Sequence, residues 1–489
     1  MNYLELLRLA FPEVHVTVTA LVVLALGLKR TRSTVLLSTV AAVGLALAVV
    51  AVLKLPQNAT LFGGMLVITP LTSLFKIICL TLAFFTVLLA QGDGSSRRHQ
   101  GEYLAMILLA TVGLLLLVGS EELLMIFIGL ELTGLSLYIL TGFDKTDSRS
   151  AEAGLKYFLF GSMASAFTLF GLSFVYGLCG TTGLAAIGQK LIGQPIQPLL
   201  AAGIVMTLIG FAFKIAAAPF HLWAPDTYQG APIPSAAFIA SGSKVASFVV
   251  FGKIVLVGFG PLQGSAAWHA MVAGWAPLLA VLVALSIVLG NLVALAQTSV
   301  RRLLAYSAVA HAGYTLLGLV AGGRDGFGAT LFYTTVYAFT LVGAFGVVAL
   351  VRRETGGDDF KSFAGLASRS PLLAGCMAIF MLSLAGLPPL AGFFGKFYLF
   401  SAALRAGGDY GLLWLVALAL LGSLISLYYY LIVLKLIFVD ERVADQLLDP
   451  PARLGDGGQK ISLTALAAAV LLLGLVPAPL LARILASLP

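Results

Sequence analysis

Charge is scarce in this chain: Asp, Glu, Lys and Arg make up 10% of its 489 residues, against roughly a quarter in soluble domains. Hydrophobic residues make up 60%, more than an aqueous fold can hide, so a soluble enzyme is excluded and an integral membrane protein is implied. Cysteine is scarcer still. Cys79, Cys179 and Cys376 sit singly in apolar segments, without disulfide or metal-ligand spacing, and read as packing or lipid-facing residues. Neither G-x-G-x-x-G nor G-x-x-x-x-G-K-[ST] occurs, which argues against a dinucleotide or ATP site within the chain. The first apolar stretch lacks the basic leader and small-residue cleavage site of a secretory signal, so it is expected to remain as a helix.

What is abundant is the apolar run of ~20 residues that spans a bilayer as a helix. Such runs lie near 12–29, 33–53, 70–91, 103–119, 122–142, 154–179, 198–218, 234–258, 270–296, 302–321, 327–351, 371–404, 411–438 and 461–486. The expected fold is therefore an all-α polytopic membrane protein of about fourteen transmembrane helices. The net charge of +8 reports orientation rather than nucleic-acid binding. One set of alternate loops holds 16 Lys and Arg (Lys29, Arg30, Arg32, Arg97, Arg98, Lys145, Arg149, Arg301, Arg302, Arg352, Arg353, Lys361, Arg369, Arg442, Arg453, Lys460), whereas the opposite set, termini included, holds six. Basic loops stay cytoplasmic, which places both termini on the opposite side of the membrane.

Seven basic residues fall inside spans: Lys76, Lys156, Lys214, Lys244, Lys253, Lys396 and Lys435. A lysine in hydrocarbon costs ~2.5–3.5 kcal/mol on insertion scales, so each is a functional candidate. Two stand beside a break. Lys214 precedes Pro219 by five residues, and Lys396 follows Pro389 by seven. Helices 4–8 and 9–13 form two groups of five, and an odd number makes the second group enter the membrane from the opposite face, as in inverted-repeat transporters. The expected organisation is residues 1–102 for helices 1–3, 103–258 and 270–438 for the two repeats, and 461–489 for the last helix. Polar residues follow the repeat: Glu131 precedes Lys214 by 83 residues and His311 precedes Lys396 by 85.

Each residue also has a plainer reading. Glu131 is the acid placed deepest in a span, either half of a functional ion pair or a salt bridge that only fastens helices. Lys76, Lys253 and Lys435 lie near span ends, where a long side chain reaches water. Lys156 begins helix 6, with interfacial and buried placements both open. Lys244 is about ten residues into helix 8, too deep for that escape. His311 titrates near neutrality when unperturbed and lacks a second ligand at i+3 or i+4, which argues for proton handling over metal binding. His221 and Asp226 form either a solvent-side entry or a structural corner. Glu13 and His15 read as interfacial, and Tyr428, Tyr429 and Tyr430 as packing.

The run Phe211–Ser235, with Gln297–Ser307 and Gly395–Tyr398, resembles the antiporter-like membrane subunits of proton-pumping NADH:quinone oxidoreductase, respiratory complex I. The details resemble that family's N-type branch more than its M- and L-type branches: lysine at 396, the Pro219–Pro232 run, and no lateral helix after helix 14. The resemblance implies Glu131 and Lys214 as a coupled pair, Lys244 and His311 as a central relay, and Lys396 as the terminal carrier. Lys156 and His221 also match recurrent family positions. It implies no cofactor in this chain, with FMN, iron–sulfur clusters and quinone held elsewhere in the complex. Its implied partners are other membrane subunits and, through them, the peripheral NADH-oxidising arm. A subunit of a multisubunit cation/proton antiporter is the alternative, because it shares the fold and the lysines.

Overall fold

The computed structural model describes residues 3–28, 33–92, 99–406, 408, 410–440 and 457–488. Lys29, Arg30, Arg32, Arg97, Arg98, Arg442 and Arg453, counted above among the loop charges, lie outside the described residues.

With no water in hydrocarbon to bind stray N–H and C=O groups, a spanning chain satisfies its backbone within itself, and apolar runs become helices. In chain order they are α1 Tyr3–Leu9, α2 Phe11–Gly27, α3 Thr34–Leu53, α4 Pro70–Ala90, α5 Gln100–Gly119, α6 Leu123–Thr141, α7 Ser148–Cys179, α8 Leu184–Leu191, α9 Pro198–Lys214, α10 Trp223–Gly230 and α11 Ile233–Phe238. The second half continues with α12 Lys244–Lys253, α13 Trp275–Leu295, α14 Val300–Ala321, α15 Gly323–Thr355, α16 Leu366–Arg369, α17 Pro371–Ala385, α18 Ala391–Arg405, α19 Leu413–Phe438, α20 Gly457–Leu475 and α21 Ala478–Ser487. The segment Ile233–Gly258 is one span in which π-helical turns flank α12. Short hairpins β1 Ala59–Leu61 with β2 Leu66–Ile68, and β3 Ser265–Ala267 with β4 Ala270–Val272, cover helix ends.

Among the described residues eleven helices are long and apolar enough to cross a membrane, or twelve if the α1–α2 pair, bent by 78°, counts as one. The expected spans 7 and 12 are each split, so neither half of either reaches that length. The core runs along α14, α15 and Ile233–Gly258, where the most apolar stretches are 94% buried. Helices α7, α13, α19 and α20 ring them with one exposed apolar face. The three cysteines are buried, so packing rather than lipid contact is their surrounding.

Both breaks are chemically closed. The chain leaves α9 through Ala216 at φ +58 and a cis Ala218–Pro219 bond, and Gly386 (φ +86) with a cis Pro388–Pro389 bond ends α17. Proline and positive φ interrupt the i→i−4 ladder, and side chains then take up the freed groups. The Ala218 N–H donates to Ser286 Oγ (2.8 Å), and Trp223 Nε1 donates to the Phe213 carbonyl (3.1 Å). At the second break the Gly392 N–H donates to Ser383 Oγ (3.2 Å), while the Ala385 carbonyl accepts from Lys396 Nζ (2.9 Å). A catalytic candidate is thus also a backbone partner.

Three interfacial expectations change. Lys76 is buried, with its Nζ 2.6 Å from Glu13 Oε1, and Glu13 is buried beside it. Lys253 is buried against the carbonyls of Val118 (3.1 Å) and Ser120 (3.4 Å) and lies 3.4 Å from Glu121 Oε1. Only Lys435, two-thirds exposed, keeps its head in solvent. At Lys76 the β1–β2 hairpin supplies the reason: it folds over the end of α5 through a Leu66–Ser120 bridge and covers the ammonium.

Candidate functional site

Helix α14 spaces the site. One helical turn is 3.6 residues, so Ala308, His311 and Tyr314, at i, i+3 and i+6, share a face. Each meets one member of a buried row. Lys244, the first residue of α12 after a π-helical turn, donates from Nζ to the Ala308 carbonyl (2.9 Å). Lys396 on α18 lies over the Tyr314 ring at 5.2 Å and donates to Ser423 Oγ (2.8 Å) as well as to Ala385. His311 stands between the two lysines. Its Nδ1 shares a hydrogen bond with Tyr333 OH (2.6 Å) and its Nε2 with Tyr430 OH (3.0 Å), and Tyr337 stacks on the ring at 4.9 Å. Tyr337 also lies 5.6 Å from Lys244 Nζ, so one aromatic face serves both.

This tyrosine sleeve was not anticipated. Tyr428–Tyr430 read as packing, yet only Tyr428 is exposed; Tyr430 bonds both His311 and Ser307, and Tyr429 OH donates to Asn291 Oδ1 (3.1 Å). The Asn291 amide in turn donates to Tyr314 OH (3.0 Å), holding the ring under Lys396. The available signal was spacing: Tyr314 follows His311 by three residues, on the same helical face. Phenols suit this place because a hydroxyl both donates and accepts a hydrogen bond.

Glu131 and Lys214 form a separate group. Lys214, the last residue of α9, donates weakly to the Leu130 carbonyl (3.5 Å) and faces the Tyr138 ring at 5.8 Å. Glu131 Oε1 accepts from Ser165 Oγ on α7. The expected direct ion pair is open: among the described residues no carboxylate lies within 4.0 Å of Lys214 Nζ, and a cavity of about 10 Å³ bounded by Glu131, Ser165 and Lys214 lies beside both. That volume is at the threshold for one water. Ser165 therefore holds the carboxylate oxygen that an ion pair with Lys214 would use. A closed pair at 4 Å is worth ~4 kcal/mol at an effective dielectric near 20.

Two glycines bound the lysine tips. A Cβ added at Gly134 would lie 3.0 Å from Lys214 Nζ, and one at Gly386 would lie 2.9 Å from Lys396 Cδ. Both are tighter than ordinary van der Waals contact, so neither site has space for a methyl group unless the lysine moves.

Lys156 takes the interfacial of its two placements. It is about one-third exposed, with Nζ 2.6 Å from Glu152 and 2.7 Å from Asp226. Asp226 on α10 also accepts from Arg302 (2.9 Å) on α14, so one carboxylate joins the two halves of the chain. Next to it, Arg301 is buried rather than in a loop: it pairs with Asp358 and donates to the carbonyls of Tyr228 (3.4 Å) and Ala231 (3.1 Å). His221 is buried beside the first break, edge-on to Tyr306 at 6.2 Å, with Nδ1 unpartnered. No hydrogen bond joins Lys214 to Lys244 among the described residues.

A family model described as NADH:quinone oxidoreductase/Mrp antiporter, transmembrane, matches residues 120–426. The chain is 48% identical to NADH-quinone oxidoreductase subunit N 2 of Acidobacterium capsulatum over 98% of both chains. Among solved structures it is similar to a chain of respiratory complex I from Thermus thermophilus with bound aureothin, at 33% identity, TM-score 0.79, and 96% and 98% coverage of the two chains. A chain of the Mrp complex from a Dietzia species has the same fold, with TM-score 0.85 at 21% identity and 99% and 97% coverage.

Proposed function

Because the chain belongs to the NADH:quinone oxidoreductase/Mrp antiporter transmembrane family, we propose that it is the N-type proton-translocating membrane subunit of an NADH:quinone oxidoreductase and that its buried row carries the protons. The observation that carries this reading is the face of α14, which sets Lys244, His311 and Lys396 in register with tyrosines between them. Lys244 passes a proton toward His311, Tyr333 and Tyr430 complete the hydrogen-bonded chain, and Lys396 is the terminal carrier. Glu131 sets how firmly Lys214 holds its proton, by accepting from Lys214 in one state and from Ser165 in the other. Lys156, Asp226 and His221 form the approach to Lys214 from the basic face.

The two groups of five helices, residues 103–258 and 270–438, act as inverted repeats, which puts a lysine before the break in one and after it in the other. The chain carries no redox centre. FMN, iron–sulfur clusters and quinone belong to the assembled complex, whose other membrane subunits and peripheral arm are its partners in the bacterial inner membrane. Purification of the intact assembly tests this directly: it should contain the chain and oxidise NADH with quinone. An assembly that exchanges cations for protons without NADH oxidation would establish the antiporter reading instead. The chain purified alone should show no flavin or iron absorption, and a stoichiometric cofactor retained on it would overturn that part of the proposal.

Orientation is tested independently. Cysteines placed at Arg302 and Lys361 should react with an impermeant thiol reagent only from the cytoplasm, and those at Lys190 and Arg324 only from the periplasm. The inverse pattern would reverse the topology and undo the repeat assignment.

A further inference from the structure

Four buried or half-buried charges stand apart from the central row. Glu13 on α2 and Lys76 on α4 are 2.6 Å apart, and Lys253 at the end of α12 lies 3.4 Å from Glu121. The two pairs meet at the C-terminal end of α5. Lys253 donates to the Val118 and Ser120 carbonyls, while the Lys76 ammonium would lie only 3.5 Å from a Cβ at Gly119. That helix end presents unsatisfied carbonyls and the negative pole of the helix dipole, a natural seat for ammonium groups.

The cluster borders a cavity. Glu121, 43% exposed, and Lys253 line a cavity of about 920 Å³ whose polar wall also includes Asn58, Thr69, Gln263 and Arg324. This volume admits many waters, far above the one-water threshold. The cavity reaches Gly323 and Arg324 at the start of α15, just past the end of α14, whereas Arg301 and Arg302 begin α14. Its 22 residues separate the two by about 33 Å, so the cavity opens at the membrane face opposite the Lys156–Asp226–Arg302 group.

A fastening function does not account for these residues. Replacing a buried ion pair by apolar groups of similar volume is often neutral or stabilising, and Glu13 Oε2 is buried without a partner, an acceptor held in reserve. We propose that Glu13, Lys76, Lys253 and Glu121 form a second proton-exchange site, through which the chain communicates with water at that opposite face. Lys253 transfers a proton from Nζ to the Glu121 carboxylate, leaving a neutral amine and a carboxylic acid. The acid gives the proton to a cavity water as hydronium and becomes a carboxylate again. The Lys76 ammonium, packed on the same end of α5, restores the proton on Lys253 and becomes a neutral amine beside the Glu13 carboxylate, which favours its return to ammonium when a proton arrives from the interior. Run backwards, the same steps take up a proton.

This inference rests on the chain being a proton conductor, and the experiment separates the two. In the complete complex reconstituted in vesicles, Glu121→Gln and Lys253→Met should each slow NADH-driven proton translocation by roughly tenfold, a lower value than a positioned acid–base group usually supplies because cavity water partly replaces it. Lys214→Ala serves as the reference. If Lys214→Ala blocks translocation while Glu121→Gln and Lys253→Met keep its rate and proton-to-electron ratio, the second site is wrong and the conductor reading stands. If all three are silent, the conductor reading falls first. Should either substitution prevent assembly, Asn58→Cys at the exposed rim keeps the question open to measurement: full reaction with a bulky cationic thiol reagent should slow translocation several-fold, and an unchanged rate would overturn the proposal.

Discussion

Lys214→Ala is expected to stop proton delivery through the first half of the chain and, because pumping and electron transfer are tightly coupled, to slow NADH-driven quinone reduction by about two orders of magnitude, the lower end of what a positioned proton-transfer group supplies. The structure makes the effect specific. Lys214 is buried at the tip of a broken helix, where its ammonium meets the Leu130 carbonyl and the Tyr138 face, so alanine removes the basic group beside Glu131 and leaves that carboxylate with Ser165 as its partner on α7. Lys214→Arg should not restore activity: a guanidinium keeps its proton at accessible pH, and its planar fork is larger than the space beside Gly134. Glu131→Gln should resemble the permanently open pair, with translocation slowed and assembly intact. Turnover and proton-to-electron stoichiometry measured on the assembled complex decide the matter; normal values for Lys214→Ala would reduce the buried lysines to structural parts.

Arg301→Ala should have the largest effect on stability. The guanidinium pairs with Asp358 and ties together the carbonyls of Tyr228 and Ala231, just before the span that carries Lys244. Removing one partner of a buried pair leaves an uncompensated charge, at a cost of ~3–5 kcal/mol. The chain should become scarce in assembled complexes, with a clearly lowered melting temperature in detergent. Asp358→Ala on top of Arg301→Ala should recover part of the loss, because neighbouring charges are not additive. A single variant that accumulates and melts like the parent would show that the tie is dispensable.

The parts of this site that were legible in the sequence share one property: a charge embedded in an apolar run has few innocent explanations. Lys214, Lys244 and Lys396 stand out on that ground, and Pro219 and Pro388 mark the breaks because proline cannot continue a helix. The tyrosines were hidden because a phenol in an apolar run is equally at home in packing. Whether Tyr430 meets His311 depends on how α19 docks beside α14, and nothing local encodes that. Lys76, Lys253 and Arg301 were misjudged for a different reason. Their distance from a span end along the chain is short, but placement is set by what packs on that end: the β1–β2 hairpin for Lys76, the terminal carbonyls of α5 for Lys253, and the 357–360 loop for Arg301, where the Val300 N–H donates to the Asp358 carbonyl at 3.0 Å. The open state of Glu131 and Lys214 was equally invisible, since it turns on the competing hydroxyl of Ser165 one helix away.

The two glycines beneath the lysine tips give the protein a way to be tuned without touching its charges. At Gly134 a single carbon would enter the space in front of Lys214 and change how far the ammonium can swing, while every acid, base and phenol kept its identity. At Gly386 the same carbon would also force an unfavourable φ of +86 on the turn, so the second half is the stiffer of the two settings. On the proposed reading, side-chain chemistry would decide whether a proton can be held, and backbone bareness how freely the lysine that holds it moves. A lineage living at a different membrane voltage has access to the second of these by one-carbon steps, in a row whose ionisable groups leave almost no substitution free of consequence.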